Sequence, residues 1–427
     1  MKVLVLTYGS RGDVQPYVAL GLGLKARGHE VTLATSERFR AFVEDRGLRF
    51  GSMSDDLLAI IDTDQGKDLL EKGSSLFQIV KSSIRMARQV APLQRAMMRE
   101  TWEIARDVDP DIIVYHSKAG SAPHIAEKLG VPCVLATPIP MFVPTRAFRF
   151  VVFPDWKLGG WYNKATYALI LFLTNRVWAR YIRDFRTSID LPPLKTYDMR
   201  RTADGRDIPI LHGHSEAVLR RPDDWPDSAH VTGYWFLQSN TAWTPPEDLQ
   251  DFLDAGPPPV YVGFGSMAGR DPQRLARVVV EALQRAGLRG IIATGWGGLK
   301  ADALPDTILR IDQAPHEWLF PRVAAVVHHG GAGTTAAGLR AGKPSVIVPF
   351  FGDQPFWGSL VHAIGAGPKP IRRSRLTAAR LAAALREATG SHDMQAVAAR
   401  IGEQIRREDG VARAVALIED IAKSDPA

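Results

Sequence analysis

The sequence predicts an α/β protein of two Rossmann-like domains facing one another across a cleft, and three observations predict it. The chain has 427 residues, too many for one ordinary core, so two domains of about 200 residues each are expected. A continuous apolar run opens the chain at Val3–Thr7 and passes through a turn and an amphipathic helix into a second run, the order of a βαβ unit. The pattern restarts at Val260–Phe264, after a Pro-, Asp- and Thr-rich stretch from Asn240 to Pro259 that reads as a linker, with the boundary near 240. In open sheets of this kind, ligands sit outside the carboxyl ends of the strands.

Composition narrows the class. Hydrophobic residues make up 45% and charged residues 23%, ordinary values for a globular chain. The net charge of +7 permits attraction to nucleotide phosphates or an anionic lipid surface. The basic residues are scattered, without an aromatic RNA-binding motif, so no nucleic acid partner is expected. The single cysteine, Cys133, excludes an intrachain disulfide framework and a thiol metal cluster and suits a reducing cytoplasm. Met1-Lys2 runs straight into a strand, which reads as no signal peptide, and no apolar run approaches the roughly 20 residues that span a bilayer.

Taken in order, Val3–Thr7 is a strand buried on both faces. Tyr8–Gly12 is a turn, Val14–Arg27 a helix ended by Gly28, and Val31–Thr35 the second strand. The turn lacks the G-x-G-x-x-G fingerprint and no acidic residue ends the second strand, which disfavours a nicotinamide cofactor. Asp13, at the end of the first strand and the start of a helix, reads from its position alone as an N-cap. Residues 52–100 are weakly patterned, with helices expected at Leu69–Val90 and Leu93–Arg106. Asp109-Pro110-Asp111 spells a D-x-D that reads as a turn before the strand Asp111–Tyr115. His116, after that strand, either faces the cleft or packs. Ala122–Gly130 is a helix and Val131–Ala136 a strand.

From Met141 to Phe185 the chain is dense in aromatics, among them Phe142, Phe153, Trp156, Trp161 and Phe172, with Arg and Lys interspersed. Residues 160–186 look helical, with apolar positions on more than one face. Core packing accounts for part of this. The rest either lines an apolar acceptor pocket or meets the interface of a membrane, where amphipathic rings and basic side chains sit well. Leu191–Asp207 is irregular, Ile208–Leu211 and Ala217–Leu219 are short strands, and His230–Trp235 leads out of the first domain.

In the second half, Val260–Phe264, Gly290–Thr294 and Ile308–Ile311 are strands, Pro272–Ala286 is a helix, and His316–Phe320 begins another. The central stretch, V-V-H-H-G-G-A-G-T-T-A-A-G-L-R-A-G-K-P-S-V-I-V-P-F-F-G-D-Q from Val326 to Gln354, reads strand, glycine turn, helix, strand, turn. Its strands are Ala324–Val327 and Ser345–Pro349, and its helix is Thr334–Ala341, capped by Gly342. Glycines let the backbone approach a ligand, and a helix start favours an anion such as a diphosphate. His329 adds a donor, Thr334 and Thr335 add hydroxyls, and Asp353 beside Gln354 suits the hydroxyls of a sugar. Leu376–Thr389, Met394–Arg407 and Val411–Lys423 are helices.

G-S-R-G-D-V-Q-P at 9–16, G-F-G-S at 263–266, Gly295–Gly298, P-H-E-W-L-F-P at 315–321 and the central stretch together resemble the signature of the GT-B glycosyltransferases that use nucleotide-diphosphate sugars, the UDP-glycosyltransferase superfamily. The resemblance covers nearly the whole chain and is closest to the sterol 3-β-glucosyltransferases and bacterial antibiotic glycosyltransferases. It implies a GT-B fold with an acceptor domain at 1–240, a nucleotide-sugar domain at 241–405 and a terminal helix at 406–427 that crosses back to the first domain. Plant members place a catalytic His before the x-N-P element of the first turn. Asp13-Val14-Gln15-Pro16 fills that stretch here, so Asp13 would be the general base for an acceptor hydroxyl. A carboxylate titrates near about 4 and is a weak base unless a water-poor cleft raises its pKa.

The same resemblance implies donor contacts at Ser10, Arg11, Gly12, Ser266, Trp296, Gln313, Ala314, His316, His329, Gly331, Gly333, Thr334, Thr335, Asp353 and Gln354. Trp296 would stack on the base, Ser266 and His329 would meet the diphosphate, and Asp353 and Gln354 the sugar. His116, Met141, Phe142, Phe153 and Trp161 would meet the acceptor. The expected reaction is inverting transfer of a hexose, glucose from UDP-glucose foremost, to a sterol, triterpenoid or other polycyclic alcohol. No cofactor beyond the donor substrate and no metal is required where backbone dipoles carry the charge of the leaving group. A cytoplasmic monomer or weak dimer is expected, with peripheral contact at the inner membrane face as a further reading. A dTDP-sugar-dependent antibiotic glycosyltransferase and a nucleotide-sugar epimerase on the same fold are the alternatives. The epimerase has no need of a large aromatic acceptor region. A membrane-associated binding protein without activity is a third reading, disfavoured because both Asp13 and Asp353-Gln354 are present.

Overall fold

A computed structural model of the chain describes residues 1–62, 76–238, 243–265, 271–294 and 304–424. The chain divides into two compact units, Met1–His214 with Arg221–Leu237 and Asp409–Ala427, and Ser215–Arg220 with Gln238–Glu408.

The first unit holds a seven-stranded sheet, all of whose pairings are parallel. Its strands are β1 Lys2–Leu6, β2 Glu30–Ser36, β3 Arg49–Met53, β4 Ile112–Tyr115, β5 Cys133–Thr137, β6 Ile210–His212 and β7 Ala229–Val231, in the spatial order β3-β2-β1-β4-β5-β6-β7. Every residue of β4 and β5 and all but the first of β1 are buried, because helices cover both faces of the sheet. The chain runs outward from β1 to β3 and then restarts at β4, on the other side of β1. That reversal opens a crevice beyond the carboxyl ends of β1 and β4.

Helix α1, Arg11–Ala26, begins three residues before the expected start, with Ser10 as its N-cap and Pro16 inside it. The helix Leu76–Val108 runs through Pro92, where the sequence reading broke it in two. Proline removes its own N–H bond and crowds the carbonyl one turn back, a local cost, while the buried Met97, Met98, Thr101 and Ala105 hold the rest of the helix down. The start expected at Leu69 lies outside the described residues. Helix α2, Gly160–Ser188, occupies most of the aromatic segment. Ala217–Leu219 is a turn and not a strand, with the N–H groups of Val218 and Leu219 both returning to the Ser215 carbonyl.

The second unit holds a five-stranded parallel sheet in the order β10-β9-β8-β11-β12. These strands are β8 Val260–Gly263, β9 Gly290–Ala293, β10 Ile308–Ile311, β11 Ala325–His328 and β12 Ser345–Ile347. Here the reversal lies between β8 and β11. The stretch read as a linker contains a helix, Glu247–Asp254, because Leu249 is buried in an apolar cluster that Trp243 and Phe252 join. Helix α3, Ala332–Arg340, starts two residues early, and a further helix, α4, Gln354–Ala363, follows β12. The last helix, α5, Gly410–Ser424, belongs to the first unit and packs on α1.

Candidate active site

At the crevice of the first unit, the parallel register of β1 and β4 sets Leu6 beside Tyr115. The loop after β4 therefore lies against the turn after β1, and the His116 N–H donates to the Leu6 carbonyl at 2.8 Å. Asp13 stands in the first turn of α1, where the helix dipole favours a carboxylate. Its Oδ2 accepts from the Ser10 N–H at 2.7 Å and from the Ser10 hydroxyl at 2.9 Å. Ser10 is thus the N-cap and Asp13 its acidic partner, which replaces the N-cap role read for Asp13 itself. The Asp13 Oδ1 lies 3.0 Å from Lys118 Nζ and 3.7 Å from His116 Nε2. Gly9, at φ 142°, leaves the carboxylate its room, because a Cβ there would fall 2.3 Å from Oδ2.

Burial alone would push the Asp13 carboxyl upward, as the sequence reading expected. The Lys118 ammonium, His116 and the Ser10 N–H outweigh it and hold the group below the ordinary carboxylate range. The expectation of a raised pKa is therefore corrected for this state of the crevice. His116 is itself buried, and burial, aided by Lys118, lowers it to about 4 against the pull of Asp13. Its Nδ1 accepts from the Lys118 N–H at 3.2 Å, so the neutral ring carries its proton on Nε2, toward Asp13. His116 was expected among the acceptor contacts; here it backs the carboxylate. Arg11 stacks over Phe42 at 5.0 Å and donates to Gln15 at 3.1 Å, while Gly12 stays exposed in the first turn.

In the second unit, the turn after β11 passes through Gly330 at φ 91°, where a Cβ would meet Ile347 at 2.7 Å. Gly331 is the N-cap of α3, and no side chain among the described residues caps the helix, which leaves its first-turn N–H groups open to an anion. A Cβ on Gly331 would lie 2.5 Å from His329 Nε2, whereas one on Gly333 would meet nothing within 4 Å. The His329 Nδ1 is buried without a partner among the described residues, and burial lowers the ring to about 4, so it is neutral at pH 7. His328 accepts from the Gly330 N–H at 3.0 Å through Nδ1 and fixes the turn. Thr334 is half-buried. Thr335 is fully buried and donates its hydroxyl to the Gly331 carbonyl at 2.9 Å, so it secures the helix start and is not the ligand hydroxyl expected of it.

Beyond β12, Gln354 Oε1 accepts from the N–H groups of Phe350 at 2.8 Å and Phe351 at 3.2 Å. That oxygen is already used, and only the amide nitrogen can serve a sugar hydroxyl. Asp353 Oδ2 accepts from the indole N–H of the fully buried Trp357 at 2.8 Å. Gln313 is exposed and Ala314 half-buried just after β10, and His316 stacks on Phe320 with ring centroids 4.3 Å apart. Ser266 and Trp296 lie outside the described residues.

Residues 3–147 match the model of the glycosyltransferase family 28 N-terminal domain, and residues 291–416 that of the erythromycin biosynthesis protein CIII-like C-terminal domain. A sterol 3-β-glucosyltransferase of Aspergillus terreus is 37% identical over 433 residues, which cover 98% of this chain and 30% of that protein. One from Cryptococcus neoformans is 36% identical, covering 98% and 27%. The chain has the fold of the GT-B glycosyltransferases. It spans less than a third of the length of these sterol relatives. Its fold is that of the glycosyltransferase VinC, solved with dTDP, at a TM-score of 0.71 and 19% identity over 99% of this chain and 100% of that one. The calicheamicin glycosyltransferase CalG4 gives 0.70 at 16% identity, with 99% of each chain covered.

The residues expected to meet the acceptor in this GT-B chain are placed unequally. Phe142 is buried at a left-handed φ of 71°, a strained conformation for an aromatic, while Met141 and Phe153 are half-buried. Trp161 stands 69% exposed on α2. Behind them, Phe150, Tyr167, Phe148, Trp225 and His212 make a continuous chain of ring contacts. Asp109 and Asp111 are both drawn to Lys2, through a 3.4 Å ion pair and a 2.7 Å bond from its main-chain N–H. Among the described residues, no three His, Cys, Asp or Glu side chains converge as a metal would need, and no helix is long and apolar enough to cross a membrane. Lys118 escaped the sequence reading. Its one available signal was its position just past His116, after the strand that neighbours β1.

Proposed function

We propose that this chain is an inverting glycosyltransferase that moves glucose from UDP-glucose to a hydroxyl of a sterol or a similar polycyclic alcohol, giving a β-glycoside. Asp13 takes the proton of the acceptor hydroxyl, which attacks the anomeric carbon opposite the leaving diphosphate. The open first turn of α3 and the neutral His329 stabilise the charge that grows on that diphosphate. Asp353 and the amide nitrogen of Gln354 hold the sugar. The observation that carries this reading is the partly enclosed carboxylate of Asp13, paired with Lys118 and seated where a parallel sheet reverses direction. The acceptor class rests on the identity to the sterol 3-β-glucosyltransferases along 98% of the chain. The buried Cys133 fits a reducing cytoplasm, and the exposed apolar face of α2 supports peripheral contact with a membrane that supplies such an acceptor.

The reading is tested by following release of nucleoside diphosphate from UDP-glucose and from dTDP-glucose, with and without cholesterol. UDP release should rise with cholesterol, and Asp13→Asn should abolish that rise, a loss of about 100-fold or more for a missing general base. UDP release that ignores every alcohol offered would instead mark a hydrolase, and a changed sugar still joined to its nucleotide, with no net UDP release, an epimerase.

A further inference from the structure

Both oxygens of Asp13 are engaged. Oδ2 is held inside the first turn of α1 by Ser10, at 2.7 Å from its N–H and 2.9 Å from its hydroxyl. Oδ1 faces the Lys118 ammonium at 3.0 Å, with His116 Nε2 farther off at 3.7 Å. Tyr17, the other titratable group against Asp13, is fully buried and donates its hydroxyl to the Ala136 carbonyl. His116 is also buried, with its Nδ1 tied to the Lys118 main chain. Of these partners only the Lys118 side chain, 50% exposed, is free to withdraw, and Oδ1 is the oxygen it would uncover.

We propose, on the reading of Asp13 as the base, that Lys118 is a displaceable counter-ion, paired with Oδ1 while the acceptor site is empty and giving up that place to the acceptor hydroxyl. The hydroxyl proton then passes to Oδ1 as its oxygen bonds to the anomeric carbon and the bond to the diphosphate breaks. Paired, the carboxylate stays ionised into acid; unpaired in a dry site, it is a stronger base when the substrate is in place. Lys118 is a positioning residue and touches neither the sugar nor the diphosphate in this role.

The acid limb of kcat/KM reports the free protein and that of kcat the substrate complex. With saturating UDP-glucose and varied cholesterol, the kcat/KM limb should lie at lower pH than the kcat limb. Lys118→Met should raise the kcat/KM limb by about one pH unit or more, toward the kcat limb. Lys118→Arg, which keeps the charge, should leave the two apart. Coincident limbs in the unaltered protein, or a kcat/KM limb that Lys118→Met does not move, overturn the proposal. Asp13→Asn separates this result from the reading beneath it. If that variant keeps cholesterol-dependent turnover, the base assignment fails; if it is inactive and the Lys118→Met limb stays put, only the displacement fails.

Discussion

The indole of Trp357 shows how a fully buried side chain can hold a half-buried carboxylate. Among the described residues it is the largest side chain wholly removed from solvent, and its one polar atom donates to Asp353 at 2.8 Å. Trp357→Phe removes that donor and leaves the carboxylate freer to turn. If Asp353 holds the sugar equally in ground and transition states, the variant should raise the KM for UDP-glucose by about ten-fold, the worth of one charge-assisted bond, with kcat little changed. Initial-rate kinetics at saturating cholesterol would show it, and an equal fall in kcat would assign Asp353 to the transition state instead. At this scale the sequence gives residue types but not the direction of their hydrogen bonds. D-Q was readable as a polar pair, yet only the fold turns Gln354 Oε1 onto two main-chain N–H groups and Thr335 onto the carbonyl of Gly331.

Helix α2 was legible as a helix but not in which of its faces is covered. Tyr162, Thr166 and Tyr167 are buried near its start and Ile182, Phe185 and Arg186 near its end, so it packs on different sides along its length. Between them Leu169, Phe172, Leu173 and Val177 fall at i, i+3, i+4 and i+8, and all four are exposed. Arg176 and Arg180 share that side and are exposed as well. An apolar stripe studded with guanidinium groups would suit an anionic lipid surface, the rings and methyls entering the acyl boundary and the cations meeting the headgroups. Flotation with phosphatidylglycerol vesicles should recover the protein more fully than with phosphatidylcholine vesicles, and Phe172→Asp with Leu173→Asp should cut the recovery several-fold. Equal flotation of the paired variant would argue for an acceptor-lining role for this face.

At the scale of the molecule, the chain leaves the first unit at Leu237 and returns to it at Asp409. The returning helix α5 buries Ala414, Val415 and Ile418 in the core shared with α1. Glu419 takes bonds from Arg27 at 3.1 Å and pairs with His29 at 2.9 Å, fastening α5 to the end of α1. Gly23 on α1 is required by this contact, since a Cβ there would lie 2.3 Å from Val411. A chain truncated after Glu408 should therefore lose about 3–6 kcal/mol from the first unit, the value of re-exposing Val415 and Ile418 alone. The loss would be seen as a lower urea midpoint for the transition of that unit, and an unchanged midpoint would show that α5 adds nothing to it.

Periodicity and turn chemistry determined the repeated α/β order, the position of most strands and the glycine turn before α3, because strands buried on both faces and glycine-lined turns leave local marks. They did not locate the helix between Glu247 and Asp254, whose anchor is the single fully buried Leu249, nor the unbroken path through Pro92. The acid at position 13 was likewise visible in the chain, but its charge state was not. That is decided by Lys118 and His116, 105 and 103 residues onward, which the pairing of β4 against β1 brings within 3.0 and 3.7 Å. Electrostatic energy depends on distance through space, and separation along the chain carries no record of it.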